Sequence, residues 1–272
     1  IAASRGRGYS LAPNGAHLET PENLPLVAVL ATGGTIANTP SGRLHAGEVA
    51  DAIPALKDVA RLEVGGLVRV ASSAVGVEHW LALARRVNER LSEPGVKGVV
   101  VTHGSNTVEE TAYFLSLTVK SDNPVVLTAA QRQFTTLSSD SPKNFLQAVR
   151  VAASDEARGK GALVVANDVI NAARDVSKNI TTRLETYSSR DMGALGFVDD
   201  DQITFYRAPL KQHTLASPFD VARLPKLPRV DIVYTYAGAD GALIEAAVAR
   251  GAEGLVIAGF PTGTGTPSLE EA

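Results

Sequence analysis

The 272 residues contain no cysteine, which excludes a disulfide framework, a thiol nucleophile and a thiolate-bound metal. Histidine is sparse. The five that occur, His17, His45, His79, His103 and His213, are scattered without the short spacing of a metal-ligand set, so no metal is expected. No apolar run approaches the roughly 18 residues needed to span a membrane, and no signal-peptide core is visible. The chain also lacks an excess of basic charge: its formal net charge is -3. Nucleic acid and anionic membrane are therefore disfavoured as main partners. Hydrolytic chemistry, if present, falls to hydroxyl, carboxylate or lysine groups. A cysteine-free chain tolerates an oxidising compartment but does not require one.

What is present is the material of a folded enzyme-sized core. Hydrophobic residues make up 44% and charged residues 20% of the chain, enough for one large or two ordinary domains. The apolar run Leu26-Val27-Ala28-Val29-Leu30 reads as a buried parallel strand and empties into Thr32-Gly33-Gly34-Thr35-Ile36-Ala37. Glycines behind such a strand permit a tight turn and close backbone approach to a ligand. Taken alone, the two threonines could equally satisfy turn hydrogen bonds.

Residues Ile1 to Leu24 read as an extended arm. After the first turn, a helix from Ala46 to Val59 is expected, disturbed by Pro54. A strand over 67–71 leads to Ser72-Ser73, and Val77 to Leu91 has the periodicity of an amphipathic helix. Strand Gly98 to Thr102 is followed by His103-Gly104-Ser105-Asn106-Thr107 and a helix with Val108, Ala112, Leu115 and Val119 on one face. Strand Pro124 to Thr128 ends in Ala129-Ala130-Gln131-Arg132, Ser139 to Pro142 opens another helix, and Gly161 to Ala166 is a fifth buried strand. This alternation predicts an α/β fold with a parallel sheet covered on both faces. Polar residues follow the strands at Thr35, Ser72, Ser105 and Arg132, so topology can gather groups far apart in sequence.

From Asn167 to Pro209 the pattern changes to antiparallel hairpins that carry Lys178, and the four prolines between Pro209 and Pro228 have the composition of a linker. The expected division is an arm over 1–24, a larger N-terminal domain over 25–208, a linker over 209–228 and a smaller C-terminal Rossmann-like βαβ domain over 229–272. From Arg229 only 44 residues remain, little more than one βαβ unit and less than a domain usually needs to stand alone. It is either incomplete in this chain or supported by its neighbours.

Each chemical candidate has a structural counterpart. Ser105 lies where a hydroxyl is well presented to substrate, yet Thr107 with Glu110 three residues on forms a plausible capping box and Asn106 an ordinary cap. Lys178 can act as a base only if burial or a cationic neighbour lowers its pKa. Arg132 suits either a bound carboxylate or a structural ion pair, and Asp140 reads most simply as a helix cap. The glycine-rich turns at Thr32 to Thr35 and Gly259 to Gly265 also invite a phosphate. Neither has the Walker lysine or the dinucleotide glycine pattern, which leaves a nucleotide-binding module as a weak alternative.

Together these stretches resemble the bacterial-type L-asparaginase/glutaminase family from Leu24 to about Ala258. Ala31 to Ala37 is similar to its first signature and Val101 to Ala112 to its second. Arg174-Asp175-Val176-Ser177-Lys178 is similar to a segment near its active-site region, and Pro218-Phe219-Asp220 to its interdomain linker. The resemblance implies a two-domain α/β amidohydrolase, usually a homotetramer built from close dimers, that converts a side-chain amide to acid and ammonia without cofactor. It inclines the compartment toward periplasmic or secreted. Thr35 would be the nucleophile that forms an acyl-enzyme, with Ser105 (the family generally has Thr) and Lys178 as an auxiliary pair. Gly34, Gly104, Ser72, Ser73 and Asn106 would face the substrate.

Several positions depart from the family pattern. Asn106 stands where the family has an aspartate that holds the substrate's α-ammonium, and Ser73 stands where it has glutamine. An α-ammonium would lose roughly 1.5 to 3 kcal/mol for one charged hydrogen bond, so the expectation is that ordinary asparagine is a poor substrate or is not the substrate. Neutral Asn106 also removes an anion that would raise the pKa of Lys178. The family's lid tyrosine has no counterpart between Ile36 and Val108, and its C-terminal acidic contribution to the neighbouring site is not found. The expectation is an amidohydrolase acting on a small asparagine-like carboxamide. An amide lacking the α-amino group and a silent ligand-binding protein on the same fold are the alternatives.

Overall fold

The computed structural model describes residues 21–272; the arm expected over 1–24 therefore lies mostly outside the described residues. Strand β1 (Leu26–Gly33) runs into a 3-10 turn over Thr35–Ala37 and a hairpin of β2 (Asn38–Thr39) and β3 (Gly42–Arg43). Helix α1 covers only Ala46–Asp51. Pro54 opens a separate 3-10 turn over Pro54–Asp58, because a proline has no amide hydrogen for the helix ladder. Strand β4 (Arg61–Val70), expected over only its last residues, is ten residues long. There follow α2 (Val77–Ser92), β5 (Val96–Thr102), α3 (Val108–Thr118), β6 (Val125–Thr128), α4 (Ser141–Ala153) and β7 (Ala162–Ala166).

Beyond β7 the chain turns back on itself, as its composition suggested. Strand β8 (Val169–Ala172) pairs antiparallel with β7, β9 (Ser177–Lys178) with β10 (Tyr187–Ser188), and β11 (Gly196–Asp199) with both β8 and β12 (Gln202–Phe205). The main sheet has the order β12-β11-β8-β7-β6-β5-β1-β4, parallel from β7 to β4 and antiparallel at the other edge.

That order has one reversal. The chain leaves β1 to one side to make β4, then crosses to β1's other side to make β5. The crevice beyond the carboxyl ends of β1 and β5 is thus the topological switch point, where an open parallel sheet can receive a ligand.

The sheet core is apolar on both faces. Val27, Val29, Val100, Val126, Leu163 and Val165 pack with Phe145, Ala148 and Val149 of α4 and with Val49 of α1. Helices α2 and α3 lie together on the other face, where Trp80 stacks on Phe114 with ring centroids 5.5 Å apart. The steps β5-α3-β6 and β6-α4-β7 move the same way along the sheet but place their helices on opposite faces. The two crossovers therefore have opposite hands, and one departs from the strong right-handed rule.

The chain forms two compact units that divide after Ala222. In the second unit β13 (Val230–Tyr234) pairs parallel with β14 (Gly254–Ala258), with α5 (Ala242–Ala249) between them in sequence, and α6 (Pro267–Glu271) follows. Its small core is Val233, Ala239 and Leu269.

Candidate active site

Three turns leave adjacent strands at the switch point: one after β1, one after β4 and one after β5. Gly34 has φ +93, and a Cβ there would sit 2.4 Å from both Cα and N of Gly104. A Cβ on Gly104 would in turn sit 2.5 Å from Ser72 Oγ. Glycine is required at both positions because the Gly34 turn abuts the Gly104 backbone and Gly104 abuts the Ser72 side chain, leaving no space for a Cβ. Thr35 follows directly, half-buried at the start of its 3-10 turn, with no hydrogen-bond partner for its hydroxyl among the described residues.

Ser72 ties the turns together. Its hydroxyl accepts the Asn106 N–H at 3.2 Å, and its carbonyl accepts the Thr107 hydroxyl at 2.9 Å. The capping box expected at Thr107 is therefore not formed: Thr107 occupies the N-cap position of α3, but its side chain is spent on Ser72. Asp140 is likewise no side-chain cap for α4. Its carboxylate accepts the N–H groups of Gln131 and Arg132, both at 2.9 Å, and the Asn144 amide at 3.1 Å. Arg132 forms no ion pair among the described residues and donates to the Ser138 carbonyl at 2.7 Å. Ser73 is exposed beside Ser72.

Lys178 comes from the β9–β10 hairpin, 73 residues after Ser105. Its Nζ donates to Ser105 Oγ at 2.9 Å and lies 3.3 Å from Asn106 Oδ1. Burial pulls its pKa below the usual lysine value, while the Glu109 carboxylate opposes that shift. Partial desolvation favours the neutral amine, the form in which a lysine beside a hydroxyl can accept its proton. The remaining sequence candidates are thus arranged in two linked groups: Ser105, Lys178 and Asn106 in direct contact, and Gly34, Gly104 and Ser72 in a stack to which Thr35 is attached by one peptide bond.

Three residues that the sequence reading left without a chemical role hold this arrangement. Glu109, on the first turn of α3, accepts the backbone N–H of Lys178 and so anchors the hairpin. Tyr187 is buried and donates its hydroxyl to the Ser105 carbonyl at 3.1 Å; burial pushes its pKa up, keeping it a donor. His103 is fully buried, with Nδ1 2.9 Å from the Gly104 carbonyl and Nε2 3.0 Å from the Thr111 hydroxyl, which accepts the Trp80 indole N–H at 2.8 Å. An indole only donates, so Thr111 must pass its own proton to Nε2, and Nδ1 then carries the hydrogen that binds Gly104. Because a trans peptide sends its carbonyl and N–H in opposite directions, fixing the Gly104 carbonyl also fixes the Ser105 N–H. That N–H has no acceptor among the described residues. The position of Glu109 inside the second signature was the available signal for it; nothing local marked Tyr187.

The segment that follows the first turn is a hydrogen-bonded hairpin. Leu44 N–H donates to the Ala37 carbonyl at 2.8 Å, Phe134 N–H to the Asn38 carbonyl at 2.8 Å, and Thr39 to the Gly42 carbonyl at 3.1 Å. No tyrosine lies on it. Among the described residues there is no cluster of three metal-ligating side chains, and no helix is long and apolar enough to cross a membrane.

A sheet of this order, with a hydroxyl-lysine contact at its switch point and glycine turns packed against each other, defines the class: a mixed α/β protein with a large, mainly parallel sheet and a small separate C-terminal sheet. Comparison with known proteins names the family. The profile described as Asparaginase, N-terminal matches residues 26–211, and that described as Glutaminase/Asparaginase C-terminal domain matches residues 229–272. L-asparaginase 2 of Bacillus subtilis is 43% identical over 260 residues, which cover 92% of this chain and 69% of that protein. L-asparaginase 2 of Escherichia coli is 41% identical over 249 residues, covering 88% of this chain and 71% of that protein. Among solved structures, a probable cytoplasmic L-asparaginase from Campylobacter jejuni superposes with a TM-score of 0.84 at 39% identity, covering 91% of this chain and 77% of that one. The chain belongs to the asparaginase family.

Proposed function

We propose that this chain is an amidohydrolase that cleaves a small asparagine-like carboxamide to acid and ammonia, with Thr35 as nucleophile and Ser105 and Lys178 as its auxiliary hydroxyl-lysine pair. The observation that carries the reading is the 2.9 Å contact between Lys178 Nζ and Ser105 Oγ beside the Gly34-Thr35 turn. Thr35 Oγ1 attacks the amide carbon and gives up its proton through Ser105 to neutral Lys178. The C–N bond breaks, the proton passes to the leaving nitrogen, and ammonia departs from a threonine ester. Water then attacks the ester carbon and regenerates the threonine hydroxyl. Backbone N–H groups of the turns, the Ser105 N–H among them, would stabilise the oxyanion of both steps. Ser72, Ser73 and Asn106 would line the substrate's α-carbon end.

Family membership and the names of the relatives support amide hydrolysis. The family resemblance further suggests a homotetramer, for which sedimentation of the purified chain is the test. Ammonia release from L-asparagine, L-glutamine and amides without the α-amino group tests the reaction itself, with Thr35→Ala and Lys178→Met as variants. Loss of turnover in both variants, with ligand still bound by Thr35→Ala, is the expected result. Full activity in Thr35→Ala would exclude it as nucleophile, and silence of the unaltered protein on every amide would exclude the enzyme reading.

A further inference from the structure

One cavity contains none of the side chains proposed to catalyse the reaction or to face the substrate. It is a partly open cavity of about 270 Å³ between the β1–β4 face of the sheet and the cover formed by the 3-10 turn, the β2–β3 hairpin and α1, with Arg69 and His45 exposed at its mouth. Its apolar wall includes Val29, Ile36, Leu44, Val49, Val68 and Phe145. Thr35, Ser72, Ser105, Asn106 and Lys178 do not line it.

The polar side chains of this cavity are mostly of one sign. Arg43, His45 and Arg69 line it, and no carboxylate does. Arg43 donates Nε to Asn38 Oδ1 at 2.7 Å, and its Nη1 reaches the carboxyl end of β1, 3.1 Å from where a Cβ of Gly33 would stand. Arg69 donates one nitrogen to the Arg43 carbonyl, and its Nη1 lies 3.4 Å from His45 Nε2. Among the described residues neither arginine has an ion-pair partner. The acidic residue of α1's first turn, Glu48, is engaged by the His45 backbone N–H at 2.6 Å. Guanidinium groups present several fixed donors, and a carboxylate can take two at once. A concave apolar wall with convergent polar groups at one end is the usual form of a small-ligand site.

We propose that this cavity binds a small monocarboxylate with an apolar tail, the carboxylate at Arg43 and Arg69 and the tail against Val29, Val49 and Phe145. The tail would contact Ile36, one residue after Thr35, so occupancy would be felt by the turn that carries the proposed nucleophile. The binding claim does not depend on the catalytic one.

The test titrates the full chain with hexanoate while observing the methyl resonances of Val29, Leu44, Val49 and Val68. Acetate removes the tail and hexylamine reverses the charge. Saturable shifts are expected with hexanoate and not with either control. The double variant Arg43→Gln/Arg69→Gln should weaken hexanoate about tenfold or more. Filling the cavity by Ala46→Phe should abolish the shifts, and if that variant does not fold, the arginine variant still decides. Equal shifts with hexylamine, undiminished binding in the double variant, or no shifts up to the solubility limit of hexanoate would overturn the proposal.

Discussion

Replacing Asn106 by Asp puts a carboxylate where an amide oxygen now lies 3.3 Å from Lys178 Nζ. At that separation the attraction is about 1.3 kcal/mol in water-like surroundings and about 5 kcal/mol at an effective dielectric near 20. Asn106 is exposed and Lys178 half-buried, so the lower figure governs. It corresponds to roughly a tenfold smaller fraction of neutral lysine at a given pH. Burial holds the Lys178 pKa down and Glu109 opposes it; a second carboxylate acts in Glu109's direction, and the acid limb of the pH–rate profile moves to higher pH. For succinamate, which has no α-ammonium, that is the main effect, and kcat/KM falls about tenfold on the acid side. L-asparagine additionally gains a charged hydrogen bond of roughly 1.5 to 3 kcal/mol, about ten- to a hundredfold in KM. Ammonia release across a pH series with both substrates reads the outcome: the substrates diverge while both acid limbs move together. If both substrates change by the same factor, Asn106 does not face the ammonium. If the limb stays put, Lys178 is not the titrating base.

Two further predictions follow from burial and packing. The pKa of His103 is held below the ordinary histidine value of 6.5 by burial. As pH falls, the unfolded chain takes the proton first; stability is complete above that value and is lost as pH drops below it. His213 acts in the same sense, so His103→Gln should flatten, without abolishing, the decline of Tm from neutrality to about pH 5; an unchanged slope refutes the assignment. Gly34→Ala should cost roughly 2 to 5 kcal/mol in urea unfolding, from a Cβ 2.4 Å from Gly104 Cα together with φ +93. Gly47→Ala is the control, because a Cβ there meets nothing within 4 Å and helix propensity should make it neutral or slightly stabilising. Equal behaviour of the two variants would remove the close-approach argument.

Much of the fold was legible because buried parallel strands are written as continuous apolar runs. Leu26 to Leu30, Gly98 to Thr102, Pro124 to Thr128 and Gly161 to Ala166 all mark strands of the main sheet. Strand β4 was read short because it is half-exposed along most of its length, and its alternating Arg61, Glu63 and paired glycines carry no apolar run. The hand of the β6-α4-β7 crossover left no mark in the sequence, since periodicity records that a face is apolar and not which side of the sheet it covers. The capping readings at Thr107 and Asp140 failed for one reason. A hydroxyl or carboxylate that local sequence offers to its own helix was taken by a closer tertiary partner, Ser72 in one case and the Gln131-Arg132 backbone in the other.

What the sequence determined by itself was chemical supply: no thiol, hydroxyls and glycines behind buried strands, a neutral amide at Asn106, and two signatures in order. Those are properties of residue type and short spacing, which a linear chain records in full. Only the tertiary structure decided which of them meet. The contact of Lys178 with Ser105, the anchoring of its hairpin by Glu109, the burial that lowers the lysine's pKa and the paired arginines over an apolar cavity all join segments separated by tens of residues, and such proximity exists only once the sheet has set its strand order.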